Sequence, residues 1–444
     1  MSYLSSISRR TYLLSLSSLT VLSLLTAGCG SGSSSATATG TTSGPSFVIG
    51  TDAPMSAVTS FSVVVDSVDA ITSGGTSVSL VSGTPTIDFA RYNGLQSLMD
   101  MNDVPAGTYT NVQITLGAAT LTASTVNVTL ATPMVVAQAG APVGLRLDLD
   151  LFKSILTSGG QITGSVTPTF NVTTVANTDP GAYLDEFDAA VVSVNAAAQT
   201  FVVQGPHGRD FTVNVTGNTE WDNSESIGSL TTSSIVAVSG TLDKADATID
   251  ADEVAILSQN GFYADGQITN VTPATGTATS FNLYVRGLLP TTTSLSLGEI
   301  ATVDVSSNTN YFIYRLHNSL TQFLFNDTSM LPGQAVAIGG SASSVTGSTA
   351  TPNRVVLRHW GFNGTFVPGS INSSAGTFQM QVTGFAGLLV PQTVTVYTSS
   401  ITTYRNGFTA LSGVTANVRV VGLLVKDPIS GGTVLIARYV DVLN

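Results

Sequence analysis

The chain has 444 residues, with 15 Lys plus Arg against 27 Asp plus Glu, a net charge of −12, and only 9% charged residues where a soluble protein ordinarily carries about 25%. No Lys/Arg cluster appears, which excludes nucleic acid as a partner and electrostatic adhesion to anionic lipid. The 43% hydrophobic content does not imply membrane helices, because after residue 28 every apolar run is short and interrupted, as in "VGLRLDLDLFKSIL". Hydrophilicity comes from Ser, Thr, Asn and Gly instead, and 43 glycines suit many tight turns between short strands.

At the N-terminus, Arg9 and Arg10 precede the apolar run "TYLLSLSSLTVLSLL", and Ala27 and Gly28 stand immediately before Cys29, the single cysteine of the chain. That run is too short for a spanning helix, and a lone thiol can form no internal disulfide. The stretch resembles a bacterial lipoprotein signal peptide, which implies cleavage after residue 28 and lipidation of Cys29. One departure is Thr26 three places before the cysteine, with Leu25 one further back. Gly30 rather than Asp follows the cysteine, so the resemblance implies an outer-membrane address. Residues 29–46, with "GSGSSSATATGTTSGPS", read as a lipidated cysteine and a flexible tether of about 20–25 Å root-mean-square reach.

From residue 47 the pattern is all-β. "SFVIGTDAP" is predicted as a strand and turn, "VTSFSVVVDSVDAI" as a long alternating strand, and "TSVSLVSG" as a short one. "FARYNGLQSLMDM" is predicted to form one or two helical turns. "VPAGTYTNVQITLG", "ASTVNVTL", "VGLRLDLDLF" and "GQITGSVTPTFNV" complete an antiparallel sandwich over residues 47–180. "TDAP" at 51–54, "IDF" at 87–89 and "VPAGTYTNVQITL" at 104–116 make this module similar to the lipoprotein domain of unknown function numbered 4382. That resemblance implies a transthyretin-like or related β-sandwich and no activity.

Beyond residue 185 four ordered elements recur three times. "FDAAVVSVNAAAQTFVVQG", "FYADGQITNVTPATGTATSFNLYVRG" and "FNGTFVPGSINSSAGTFQMQVTG" each pair two strands, the second carrying Phe201, Phe281 or Phe378. Next come strands leading to Trp221, Tyr311 or Tyr404, then "SSIVAVSGTL", "PGQAVAIGGSA" or "SGVTANVRVVGLL", then "ADEVAIL", "NRVVLRH" or "IARYVDVL". The pattern resembles the domain of unknown function numbered 5666, as three small β-barrel-like repeats at 187–260, 262–360 and 362–444. "RLHNSLTQFLFNDTSM" is an excursion of the second copy, placed to cover one barrel end. The modules are expected to form an extended rod.

Chemistry-bearing patterns are sparse. His207, His317 and His359 fall one to a repeat, and none has metal-ligand spacing. "GSGSS" at 30–34 lies in the tether, where no scaffold orients a base. Asp148 and Asp150 alternate with leucines and share one sheet face, and Asp66 and Asp69 lie on the long second strand. Convergence of these four would suit Ca²⁺, but calcium-loop spacing is absent and a solvated sheet face is the preferred reading. Trp221, Tyr311, Tyr404, Trp360 and Tyr439 suit either glycan platforms or core plugs, and their repeat positions favour plugs for the first three. The reading therefore assigns no catalytic, cofactor-binding or metal residue and a single modification, lipidation of Cys29. It describes a non-enzymatic envelope lipoprotein, anchored by palmitate-type lipid and facing periplasm or cell surface, with a binding, adhesive or structural role toward envelope glycan or protein. The alternatives are a glycan-directed or metal-assisted hydrolase using Asp148 and Asp150, and a pure spacer in an envelope assembly.

Overall fold

The computed structural model describes residues 42–442 except 54–60, 93, 118–123, 139, 159–160, 180–181, 206–207, 223–224, 243–247, 291–292, 315–319, 383–391, 406 and 416. The signal-like segment and Cys29 lie outside the described residues, as do His207 and His317. Strand dominates the chain, and the one α-helical segment described is the single turn Leu151–Ser154.

The N-terminal module is two facing sheets. In one, Ser62–Thr72 and Gly107–Gly117 pair antiparallel, flanked by Ser77–Ser79, Thr86–Asp88 and Ser124–Val136. Its inward side chains Val63, Val65, Val68, Val112, Ile114 and Leu116 are buried against Val48, Leu145, Leu147 and Leu149 of the other sheet. That second sheet runs Phe170–Ala176, Val143–Asp150, Ser43–Ala53, Ser97–Pro105. It is mixed rather than purely antiparallel, because Ser43–Ala53 runs parallel to Val143–Asp150.

The reason is that this sheet is covered on both faces, as parallel pairings usually require. Val48 points into the sandwich core, while its neighbours Phe47 and Ile49 point into the core of the following module. The same double burial explains a misread element. "LQSLMDM" forms strand, in Ser97–Pro105, after one 3₁₀ turn at Phe89–Arg91, instead of helix. Leu98 and Met101 face one core and Met99 the other, so the two-residue alternation that marks a half-buried strand is missing. Residues 43–46, expected as tether, also belong to a strand. Their main chain pairs with 102–105, and composition does not report main-chain pairing.

The three following units have one connectivity. In the first, Asp210–Asn214, Thr200–Gln204, Leu184–Asn195, Ile235–Leu242 and Thr248–Ser258 pair in that order, and Asp210–Asn214 also pairs Thr248–Ser258, closing the ring. In the third, Gln392–Tyr397, Thr377–Val382, Trp360–Phe366, Asn417–Lys426 and Thr433–Val442 close likewise. The second differs in that its last strand is split into Thr349–Ala350 and Arg354–Arg358, each keeping its own parallel partner. Register is conserved: the parallel pairs Thr212↔Thr248 and Glu220↔Glu253, Thr302↔Thr349 and Asn310↔Arg354, and Thr395↔Val434 and Thr403↔Tyr439 have identical spacing.

A hydroxyl turn holds that spacing. Thr219, Thr309 and Thr402 each donate to a main-chain oxygen of the last strand region, those of Ala251, Pro352 and Ala437, at 2.7, 3.1 and 2.7 Å. Each also accepts from the N–H three residues back, at Thr216, Ser306 and Ser399. This is the local side-chain capping that Ser and Thr favour in turns.

The modules share cores instead of standing in a row as separate bodies, contrary to the rod expected from sequence. Phe47, Ile49, Leu98 and Met101 complete the first unit's core, and Leu423, Val425, Val434 and Ile436 of the third unit complete the second's. The excursion supplies Leu320, Phe323, Phe325 and Met330 to that second core, with Phe323 edge-on to Tyr397 of the third unit at 5.0 Å. Residues 41–444 accordingly form one compact unit.

Candidate functional site

With so few charges in the chain, their location is informative. All four modules meet at a cavity of about 60 Å³ lined by Arg91, Tyr92, Leu95 and Ser97 of the sandwich, Asp185, Glu186 and Asp188 of the first unit, Asp265, Gly266, Ala335, Val336 and Arg358 of the second, and His359 and Trp360 leading into the third. Arg91 ends the 3₁₀ turn, and Arg358 ends the second unit's last strand, one residue before the link into Trp360–Phe366.

The two guanidiniums bridge modules. Arg91 Nη2 donates to Asp188 Oδ2 at 2.8 Å and lies 3.4 Å from Asp265. Arg358 donates through Nε to Glu186 Oε2 at 2.5 Å and through Nη1 to Asp188, with 2.9 Å to Oδ1. The Tyr263 hydroxyl donates to Asp188 Oδ2 at 2.5 Å, and His359 Nδ1 lies 2.6 Å from Glu186 Oε1. Asp185 Oδ1 accepts from the Tyr439 hydroxyl of the third unit, while Asp185 Oδ2 is buried with no hydrogen-bond partner.

Backbone geometry serves the cluster. Glu186 adopts φ 50°, a left-handed conformation that costs a non-glycine residue roughly 1–3 kcal/mol. It sits where the strand register is irregular, between Leu184 and Phe187, and its N–H donates to Ser239 Oγ at 3.0 Å. Gly287 leaves the space that Asp265 and Arg91 occupy, since a Cβ there would collide with both.

The electrostatics follow from burial. Burial pushes the Glu186 carboxyl up, but Arg358 and the His359 ring outweigh it and bring it down to about 2. For Asp188 burial wins, reinforced by Asp265, and its carboxyl is raised despite Arg358 and Arg91. Burial likewise raises Asp185 against the Tyr439 hydroxyl, Arg405 and Arg438. Desolvated ion pairs of this kind add little net stability, but losing one partner strands the other, so they fix which faces meet.

Of the residues singled out from sequence, His359 and Trp360 line this junction, and Tyr439 reaches it through its hydrogen bond to Asp185. Asp148 and Asp150 do not occupy a solvated face. Asp150 is 7% exposed, caps the helical turn by accepting from the Lys153 N–H at 3.0 Å, and pairs with Lys153 Nζ at 2.6 Å. Burial raises the Asp148 carboxyl, with Arg146 and Arg419 of the third unit acting against it. The solvated-face reading fails because the second sheet is covered by a neighbouring module. Asp69 accepts from Ser67 Oγ at 2.8 Å and Asp66 is exposed, both on the other sheet of the sandwich. Among the described residues no group of three or more His, Cys, Asp or Glu has the geometry to hold a metal ion. Trp221, Tyr311 and Tyr404 pair with Val254, Val355 and Val440 in equivalent register and pack against their own cores, while Trp360 and Tyr439 are buried.

Sequence reasoning missed Arg91, Glu186, Asp188, Asp265 and Arg358. A signal existed. Asp188, Asp265 and Asn363 pair with Ala237, Ala337 and Arg419, each three residues before Gly240, Gly340 or Gly422, and so occupy one repeat position. Matching the copies by their leading phenylalanines hid this, because Ala264 rather than Phe262 is the equivalent of Phe187 and Phe362.

Residues 48–204 match the family described as Domain of unknown function (DUF4382). No curated protein matches the chain. The DUF4382 match covers less than half of the chain and runs past the sandwich into the first two strands of the first unit. That extent suits the packing, since Phe47 and Ile49 share a core with Phe187 and Phe201. It takes in Arg91, Asp185, Glu186 and Asp188 and stops before Asp265, Arg358 and His359.

Proposed function

We propose that this protein is an envelope lipoprotein, anchored through lipid on Cys29, whose role is binding, adhesive or structural and not enzymatic. The observation that carries this reading is the junction: a buried cluster of ionisable side chains is engaged in ion pairs and hydrogen bonds that join the modules to one another. Exposed Ser, Thr and Asn side chains can hydrogen-bond glycans or peptide edges without transferring a proton. The three C-terminal units are read as copies of one module resembling the domain of unknown function numbered 5666, supported by their common register, and the sandwich as transthyretin-like. An outer-membrane position, facing the periplasm or the cell surface, follows from Gly30 after the lipidated cysteine. A tether of two or more acyl chains gives stable attachment where one chain is marginal.

The test has two arms. Metabolic labelling with a palmitate analogue is expected to mark the full chain and to vanish in Cys29→Ser, with loss of envelope fractionation; label retained in the variant defeats the anchor. The full chain is also offered envelope glycans, peptidoglycan and envelope proteins with and without Ca²⁺. Saturable capture of one class supports the binding role, and turnover of any of them overturns the non-enzymatic reading.

A further inference from the structure

We infer that residues 125–129, the open edge of the sandwich's first sheet, pair antiparallel with the same residues of a second copy about a two-fold axis through Asn127. The inference goes beyond the anchoring and adhesive reading and does not depend on it. Ser124–Val136 ends its sheet: it pairs with Gly107–Gly117 on one side and, among the described residues, with no strand on the other. An unpaired strand edge is a template for another chain, and proteins ordinarily blunt it with Lys, Pro, a bulge or an inward charge. From Leu130 onward this edge is blunted in that way. Four residues, 130–133, stand against the single Thr110, the last of them is Pro133, and the Thr132 oxygen accepts from the Thr174 hydroxyl at 2.7 Å. Residues 125–129, Thr-Val-Asn-Val-Thr, have none of these devices. The outer strand of the facing sheet, Ser97–Pro105, shows the contrast, with Asp100, Asp103 and a terminal Pro105.

The sequence of the open stretch selects a copy of itself as occupant. It reads identically in both directions about Asn127, so antiparallel two-fold pairing sets Asn127 opposite Asn127, Thr125 opposite Thr129 and Val126 opposite Val128. The side chains fall on matching faces. Thr125, Asn127 and Thr129 are exposed on the outer face, while Val126 and Val128 are half-buried against the sandwich core. Pairing therefore brings valine against valine on the core side and threonine against threonine outside, both favourable cross-strand neighbours. Asn127 Oδ1 accepts from Gln113 Nε2 at 2.9 Å, which leaves the Asn127 amide N–H groups and the second Oδ1 lone pair for exchange across the axis. No charge opposes the contact: in this row of the sheet the first carboxylate, Asp69, lies beyond Gln113, two strands from the edge. In a chain of net charge −12, whose copies repel one another, an uncharged edge is where two can approach. Five residues from each copy make a small interface, so the association is expected to be reversible.

The test uses the full chain with Cys29→Ser, which removes the only native thiol, held in mild detergent. Sedimentation velocity is expected to show a monomer–dimer equilibrium that shifts with protein concentration. Asn127→Lys places two like charges on the axis and is expected to weaken self-association at least tenfold, as is Asn127→Asp. An equimolar mixture of the two variants is expected to restore it. Asn127→Cys is expected to form a covalent dimer under mild oxidation, because residues directly opposite across antiparallel strands have Cβ atoms about 4.5–5.5 Å apart. Thr115→Cys, one strand further in, is expected to stay monomeric. A chain that is monomeric at every concentration and gives no crosslinked dimer through Asn127→Cys overturns the inference, and so does a dimer indifferent to both charged variants. Should the charged variants not fold, the cysteine comparison decides alone: equal crosslinking at the two positions, or none, overturns it. Envelope capture by a purely monomeric chain overturns this inference alone and leaves the proposed function standing.

Discussion

Glu186 has its carboxyl held at about 2, below its ordinary 4.5, so the stability it contributes is complete above pH 4.5 and is lost as pH falls toward 2. Asp185 and Asp188 act in the opposite sense: their carboxyls are raised, so their ionisation weighs against the folded state as pH climbs past the ordinary aspartate value. The two effects separate in a difference measurement. Urea midpoints of the wild type minus those of Glu186→Gln are expected to fall between pH 4.5 and 2, and a flat difference refutes the pairing. None of this was visible locally. "VVLRHW" reads as an ordinary strand with a charged end, and the partner of Arg358 stands 172 residues earlier.

Strand by strand, the repeats were largely legible because their signals are local. Period-two apolar residues mark each strand, and "TGNT", "SSNT" and "SSIT" mark the turn whose last threonine reaches back to the closing strand. The bulges were not legible, since they arise where main chains cross too closely for a side chain. Gly240 and Gly422 sit at such register shifts, and a Cβ on either would collide with the main-chain oxygen of Asp250 or Ile436. Gly422→Ala is therefore expected to destabilise by about 2–4 kcal/mol through displaced strand pairing, against about 1–2 kcal/mol for Thr402→Val, which loses both turn hydrogen bonds. Denaturant unfolding of both variants checks the order, and an equal or reversed cost contradicts the assignment.

For the whole molecule, the shared cores forbid simple dissection. A fragment ending at residue 180 exposes Phe47, Ile49, Leu98 and Met101, which are 0–4% exposed in the intact chain. At about 1.5–3 kcal/mol per large side chain, that forfeits roughly 6–12 kcal/mol, comparable with the whole stability of a typical domain. The fragment is expected to bind a hydrophobic dye and aggregate, whereas one ending at residue 258 retains that core and remains monomeric by light scattering. A monomeric, dye-negative shorter fragment would show the sandwich to be autonomous. The sequence by itself determined the all-β class, the sandwich strands and the threefold recurrence, because each rests on periodicity and turn chemistry within a few tens of residues. Only the tertiary structure decided the parallel pairing of the first strand, the joining of the modules and the charged junction. Those depend on which faces meet across distant segments, and a buried face covered by another module carries the same residues as one covered by its own.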